Sequence, residues 1–125
     1  MDKYDATFDP PAPTLLVKII NPQIPEKEIE NKALLDSGAY MTVIPDDLVE
    51  GLELLPASEV EVEGYKEGKQ KHPTYFINIA FKDSLFSYME VIAVKRKYVL
   101  IGRDILNQTK LVLDGKNLIF EVSDP

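Results

Sequence analysis

The chain has 125 residues, 45% of them hydrophobic, with 14 Lys and Arg against 21 Asp and Glu for a net charge of −7. That size and apolar content suit a folded domain and exclude a disordered one, while the acidic balance argues against nucleic acid or an anionic membrane surface as a partner. No cysteine is present, which excludes disulfides and thiolate metal sites.

No apolar run reaches the ~18 residues of a membrane helix, and the acidic start Met1-Asp2-Lys3-Tyr4-Asp5 does not resemble a secretory signal, so a soluble cytoplasmic protein is expected. Residues 1–13 are expected to be a flexible lead-in, because Pro10, Pro11 and Pro13 interrupt regular pairing, and residues 14–125 to form a single domain. Residues 14–20 read as a strand. Pro22 and Pro25 mark a loop, and 33–35 is a short buried strand. Residues 42–44 form another strand, and Pro45 suits the first turn of a short helix stopped at Gly51.

Glu59-Val60-Glu61-Val62-Glu63 alternates with period two, as a half-exposed strand does. Gly64 and Gly68 bracket a polar turn, and residues 74–81 return as the second arm of a hairpin. Strands follow at 84–94 and 98–101. The basic turn between them, Lys95-Arg96-Lys97, is too short for nucleic-acid binding and reads as solvated. A short helix spans 102–107, and residues 111–113 and 118–120 close a hairpin around Asp114-Gly115, a favoured tight-turn pair. Short strands with turn signals roughly every eight to twelve residues predict an all-β barrel or sandwich.

Leu34-Leu35-Asp36-Ser37-Gly38-Ala39 is an apolar run that ends in a carboxylate on a Ser-Gly turn. An Asp-Ser/Thr-Gly arises by chance in roughly one chain of this length in twenty, so an ordinary turn is the competing reading. The chemical reading starts from peptide hydrolysis. That reaction needs an activated water, a proton donor for the leaving amine and relief of charge on the carbonyl oxygen. Two carboxylates a few ångströms apart share one proton and supply all three. Around Asp36, Leu34 and Leu35 would keep the carboxylate poorly hydrated, and Gly38 would leave its N–H free to point at it. Ser37 can donate to backbone across a symmetry axis, and Ala39 is small enough not to obstruct a cleft. The chain has no second such triplet, so a carboxylate pair would need a homodimer.

A second segment, Val99-Leu100-Ile101-Gly102-Arg103-Asp104-Ile105-Leu106, begins some sixty residues later. With both segments in order, the chain resembles the retroviral-type (retropepsin-like) aspartic peptidases from Ala33 through Val122. In that family an apolar-apolar-Gly-Arg-Asp/Asn-apolar-Leu segment threads beside the active-site loop and opens a short helix. The run through Asn107, followed by Leu113-Asp114-Gly115-Lys116-Asn117-Leu118, is similar to the single-domain prokaryotic members. The resemblance implies a retropepsin-like all-β barrel with one lobe per chain, one or two short helices and a flap hairpin. It implies that Asp36 is the catalytic aspartate, supported by Ser37, Gly38 and Ala39, with Leu100, Ile101, Gly102, Arg103 and Asp104 as the second motif beside it. The hairpin from Val60 to Ile77 falls where the family places its flap, and Gly64, Tyr65 and Gly68 are candidate tip residues. An ordinary turn is the competing reading for Tyr65.

The function so implied is an endopeptidase that is a homodimer, cleaves protein or peptide substrates in extended conformation and uses no cofactor or metal. Two departures from the family stand out. The residue after Ala39 is usually acidic there and pairs with the arginine of the second motif; here it is Tyr40, so Arg103 needs another partner, a carboxylate in its own helix or across the dimer. The flap lacks a glycine-dense tip and carries Lys66, Glu67, Lys69 and Lys71. These departures motivate an alternative, a catalytically silent module that keeps the fold for dimerisation or peptide binding. His72, the only histidine, reads as a surface residue rather than a base, and Glu59, Glu61 and Glu63 as a solvated strand face.

Overall fold

The computed structural model describes residues 1–64 and 68–123. Period-two patterning builds its walls. In β2 (Thr14–Ile20), which follows a two-residue strand β1 (Asp2–Lys3), Val17 and Ile19 are buried while Leu16 and Lys18 face outward. β2 pairs antiparallel with β3 (Glu28–Leu35), from Thr14 opposite Leu34 to Ile20 opposite Glu28. The strand expected at 33–35 is therefore longer. Its polar first half is recruited by backbone pairing to β2, which apolar patterning alone does not signal.

After β3 come β4 (Val43–Pro45), helix α1 (Leu48–Gly51) and strand β5 (Ser58–Gly64). The long strands β6 (Gly68–Phe81) and β7 (Ser84–Val94) follow, then β8 (Val99–Ile101) and helix α2 (Arg103–Leu106). β3 pairs in parallel with β8, β8 pairs with β4, β4 runs parallel to β7, and β7 pairs antiparallel with β6. Because β6 also pairs with β2, from Lys18 opposite Ala80 to Ile20 opposite Asn78, six strands close into a ring in the order β2-β3-β8-β4-β7-β6. Closure leaves no free edge in the ring. The expected all-β barrel with two short helices is what the chain forms.

β5 stands outside the ring and pairs with β6 from Ser58 opposite Thr74 to Gly64 opposite Gly68. The β6–β7 ladder begins only at Thr74. Residues 68–73 thus have β5 as their one strand partner among the described residues, which makes a two-stranded arm projecting from the barrel. Tyr65, a candidate tip residue, lies outside the described residues, as do Lys66 and Glu67.

Pro45 closes β4 opposite Val94 instead of opening a helix, and α1 starts at Leu48. Proline has no N–H to give, but it fits the end of a strand, and Asp46 resumes the bonding by donating to Val94 O at 2.9 Å. Asn21, buried in the loop after β2, donates to Leu52 O and accepts from the amides of Gln23 and Ile24.

The lead-in of residues 1–13 is fastened rather than loose. β1 pairs with β10 (Ile119–Ser123), which pairs in turn with β9 (Lys110–Asp114). Asp5 donates to Ala12 O at 2.7 Å and Ala12 donates back at 3.2 Å, because Ala12 keeps an N–H among the prolines. Lys32 Nζ lies 2.6 Å from Asp5 Oδ2. That contact and the bonds from Thr7 hold the Asp5 carboxyl well below the usual carboxylate range. The buried Phe120 and Val122 of β10 belong to the same core as Ile19, Ile77 and Ile101, and Tyr4 packs edge-on at 5.9 Å from Phe120. Among the described residues no helix is long and apolar enough to cross a membrane.

Phe120→Ala is expected to lower the unfolding free energy by about 3–5 kcal/mol, read from urea denaturation. A loss under about 1 kcal/mol would show that the β1-β10-β9 sheet packs independently of the barrel.

Candidate active site

The Asp36 loop is the continuation of a buried strand. Leu35, buried at the end of β3, lies opposite Ile101 of β8, and the Asp36 amide extends the ladder by donating to Ile101 O at 2.9 Å. The chain then turns. Gly38 N donates to Asp36 Oδ1 at 2.9 Å, the bond its lack of a side chain was expected to permit, and Ala39 N donates to Asp36 O at 3.2 Å. Asp36 is half-buried, while Ser37 and Gly38 are exposed. A carboxylate fixed through one oxygen by a backbone N–H, at the lip of an apolar strand, is placed to take or give a proton at the other.

The second motif meets this loop directly. Arg103 N donates to Ala39 O at 2.8 Å, and Arg103 Nη1 donates to Ser37 O at 2.7 Å. The arginine therefore finds a backbone carbonyl in the loop itself instead of a carboxylate in its helix. Gly102 passes beneath residues 39–41 so closely that an added Cβ would sit 2.7 Å from Met41 C and 3.0 Å from Ala39 O. Any side chain there would push the two motifs apart.

Thr42 was missed as a site residue. Its side chain is fully buried, and its hydroxyl donates to Asp104 Oδ1 at 2.8 Å while accepting from Gly102 N at 3.1 Å. Its own N–H donates to Asp104 Oδ2 at 3.0 Å. Asp104 also accepts from Ile105 N. The signal lay in the pattern: Thr42 stands two residues before the buried Ile44, just ahead of β4, and a buried hydroxyl needs a partner. Arg96, expected in a solvated turn, is half-buried; burial makes its guanidinium hold its proton less tightly, and the Asp36 carboxylate works in the opposite direction.

Gly64 and Gly68 face each other at the outer end of the arm, and among the described residues no hydrogen bond joins them to residues 36–39. His72 is half-buried on β6 opposite Val60. Cavities of about 320, 610 and 420 Å³ open on the barrel surface, and none of these three is lined by Asp36. Among the described residues no cluster of His, Cys, Asp and Glu could hold a metal ion.

Comparison with known proteins places this geometry. The family model described as retroviral aspartyl protease matches residues 11–114. No curated protein matches the chain in sequence. Among solved structures, the EIAV protease complexed with the inhibitor HBY-793 is similar at 20% identity and a TM-score of 0.57, with 77% of this chain and 86% of that chain covered. The protease of simian foamy virus is similar at 20% identity and a TM-score of 0.57, covering 76% of this chain and 92% of that one. At that identity the likeness is one of fold.

Asp104→Ala would strip the buried Thr42 N–H and hydroxyl of their acceptor, and a loss of about 2–4 kcal/mol in unfolding free energy is expected. Arg103→Ala removes an exposed bond and is expected to cost about 1 kcal/mol or less. Urea unfolding of the two variants side by side checks the ranking, and equal losses would contradict it.

Proposed function

This chain belongs to the retroviral aspartyl protease family, and we propose that it is an aspartic endopeptidase whose active site is made by Asp36 of each chain in a homodimer. The observation that carries the reading is the half-buried carboxylate of Asp36, held through Oδ1 by Gly38 N–H beside the exposed Ser37 and Gly38. A single carboxylate cannot act as a base toward water and as an acid toward the carbonyl oxygen at the same moment. Two that face each other can, because their like charges force them to share a proton. The ionised member takes a proton from the water as it attacks the carbonyl carbon. The protonated member polarises the carbonyl oxygen and later returns a proton to the nitrogen. Ser37, Gly38 and Ala39 hold the loop, and Leu100 to Asp104 brace it from beneath.

The β5–β6 arm acts as the flap in this proposal, with Gly64, Tyr65 and Gly68 at its tip. It lies over an extended peptide, excludes water and offers backbone hydrogen bonds. The silent-module reading drew on the loss of an acidic partner for Arg103. Its weight falls because Arg103 keeps hold of the loop through Ser37 O.

The test is cleavage of a peptide library from about pH 3 to about pH 8, read by mass spectrometry for wild type beside Asp36→Asn. Cuts are expected from the wild type alone, with a loss of about a thousandfold in the variant, while circular dichroism and dimer content stay unchanged. Activity is expected to end at high pH, where the shared proton is lost, and to fall faster than linearly on dilution. Equal cutting by Asp36→Asn would remove the aspartic mechanism, and an absence of cuts from a confirmed dimer would favour the binding module.

A further inference from the structure

Two of the surface cavities are parts of one feature. The cavities of about 320 and 610 Å³ share Ile24, Glu53, Leu54 and Leu55 as walls, so they run together as one groove, and Asp36 lines neither. Apolar side chains stand open along it. Leu55 is 79% exposed and Tyr88 61%, and Ile24 and Phe76 are exposed as well. Single exposed apolar residues are ordinary on a protein surface, but four along one concavity mark a binding face.

Tyr88 is there because β7 carries an extra residue. Ile77 lies opposite Met89 and Ile79 opposite Phe86, so Asn78 alone faces both Ser87 and Tyr88. Tyr88 takes a left-handed backbone conformation at φ 51°, which bulky residues seldom adopt, and its amide donates to Asn78 Oδ1 at 2.9 Å. A bulge re-aims a side chain out of the regular alternation of a strand. Here it sets the tyrosine on the wall of the smaller cavity, together with Phe76.

Charge tells what the groove suits. The buried Leu54, Tyr75 and Ala93 floor the larger cavity, and the exposed Asp46, Glu50 and Glu53 stand around it. Among the described residues no Lys or Arg lines either cavity. Glu53 is paired with Lys27 at 3.0 Å, while Asp46 and Glu50 enter no ion pair among the described residues. An apolar floor with an unneutralised acidic rim attracts a cation on an apolar body and repels an anion. The exposed aromatic residues lie on the smaller cavity and the unpaired acids on the larger. An occupant must therefore present its apolar and cationic groups apart, as successive side chains of a peptide do.

We propose that this groove docks a segment of a partner protein in which a large apolar residue lies a few residues from a Lys or Arg. The apolar residue packs against Leu55, Phe76 and Tyr88, and the cation meets Asp46 and Glu50. A second copy presenting the same groove would set acid against acid. The inference requires no cleavage and stands independently of the proteolytic reading above.

The experiment uses the full chain carrying Asp36→Asn, so that bound peptides are not cut. Phage displaying random dodecapeptides are depleted on that chain with Leu55→Asp and Glu50→Lys added, then selected on it without them. Enrichment of sequences that combine a large apolar residue with Lys or Arg is expected. A labelled peptide from that pool is then followed by fluorescence anisotropy. It is expected to bind about tenfold more weakly to Leu55→Asp and about fivefold more weakly when Asp46→Asn and Glu50→Gln are combined. Added salt is expected to weaken it further. The substituted residues are exposed, so the variants keep the fold, which circular dichroism checks. No enrichment, enrichment of acidic or uncharged sequences, or binding that every variant retains overturns the proposal. Self-association lost with Leu55→Asp in sedimentation velocity overturns it too, because the occupant would then be a second copy.

Discussion

The seam between β3 and β8 governs where every other part of the site can lie. Two segments far apart in sequence meet there as parallel neighbours, and the ladder does not stop at the strand ends. Asp36 N takes Ile101 O, Arg103 N takes Ala39 O, and Gly102 slips beneath the backbone of residues 39–41. Thr42 and Asp104 lock the join with buried hydrogen bonds. Parallel strands need a long connection, and here the connection is the β4–β7 body of the barrel. Closing the ring and positioning the carboxylate consequently rest on the same contacts, and a fault in the seam would be felt in both.

Much of this was visible in the residues. The Asp36 turn and the Gly102-Arg103-Asp104 segment are dense local patterns, and the strands at 14–20 and 84–94 appear where alternation and turns place them. What escaped reading is what pairing partners decide. Residues 28–32 carry little apolar signal and are strand because β2 lies beside them. Pro45 suits a helix start by its fixed φ, yet the parallel β7 strand draws it into β4. Three prolines spoke for a loose lead-in, whereas the lone Ala12 amide and the short β1 pairing tie it down. Thr42 looked like one more strand former because its partner, Asp104, is distant in sequence.

Arg103 illustrates how a fold is kept while its contacts change. An acidic residue following the Ala39 position would offer the guanidinium a charged partner, but Tyr40 is exposed and offers none. The bond to Ser37 O replaces it with a neutral acceptor on the loop itself. Such a bond is weaker than a bidentate ion pair, but it also spares a carboxylate beside Asp36. Fold likeness at 20% identity leaves room for this kind of retuning.

The arm built from β5 and β6 leaves the outer edge of β5 unpaired among the described residues. A bare edge of that kind invites other strands, including those of identical molecules, and is a common origin of aggregation. Here the strand carries Glu59 and Glu61, both exposed, with Glu61 set opposite Lys71 of β6. Two copies meeting edge to edge would bring carboxylates against carboxylates, while a single uncharged strand would meet no such barrier. The acidic alternation that first marked this segment as a strand thus also sets like charges along the edge, which disfavours its pairing with an identical edge.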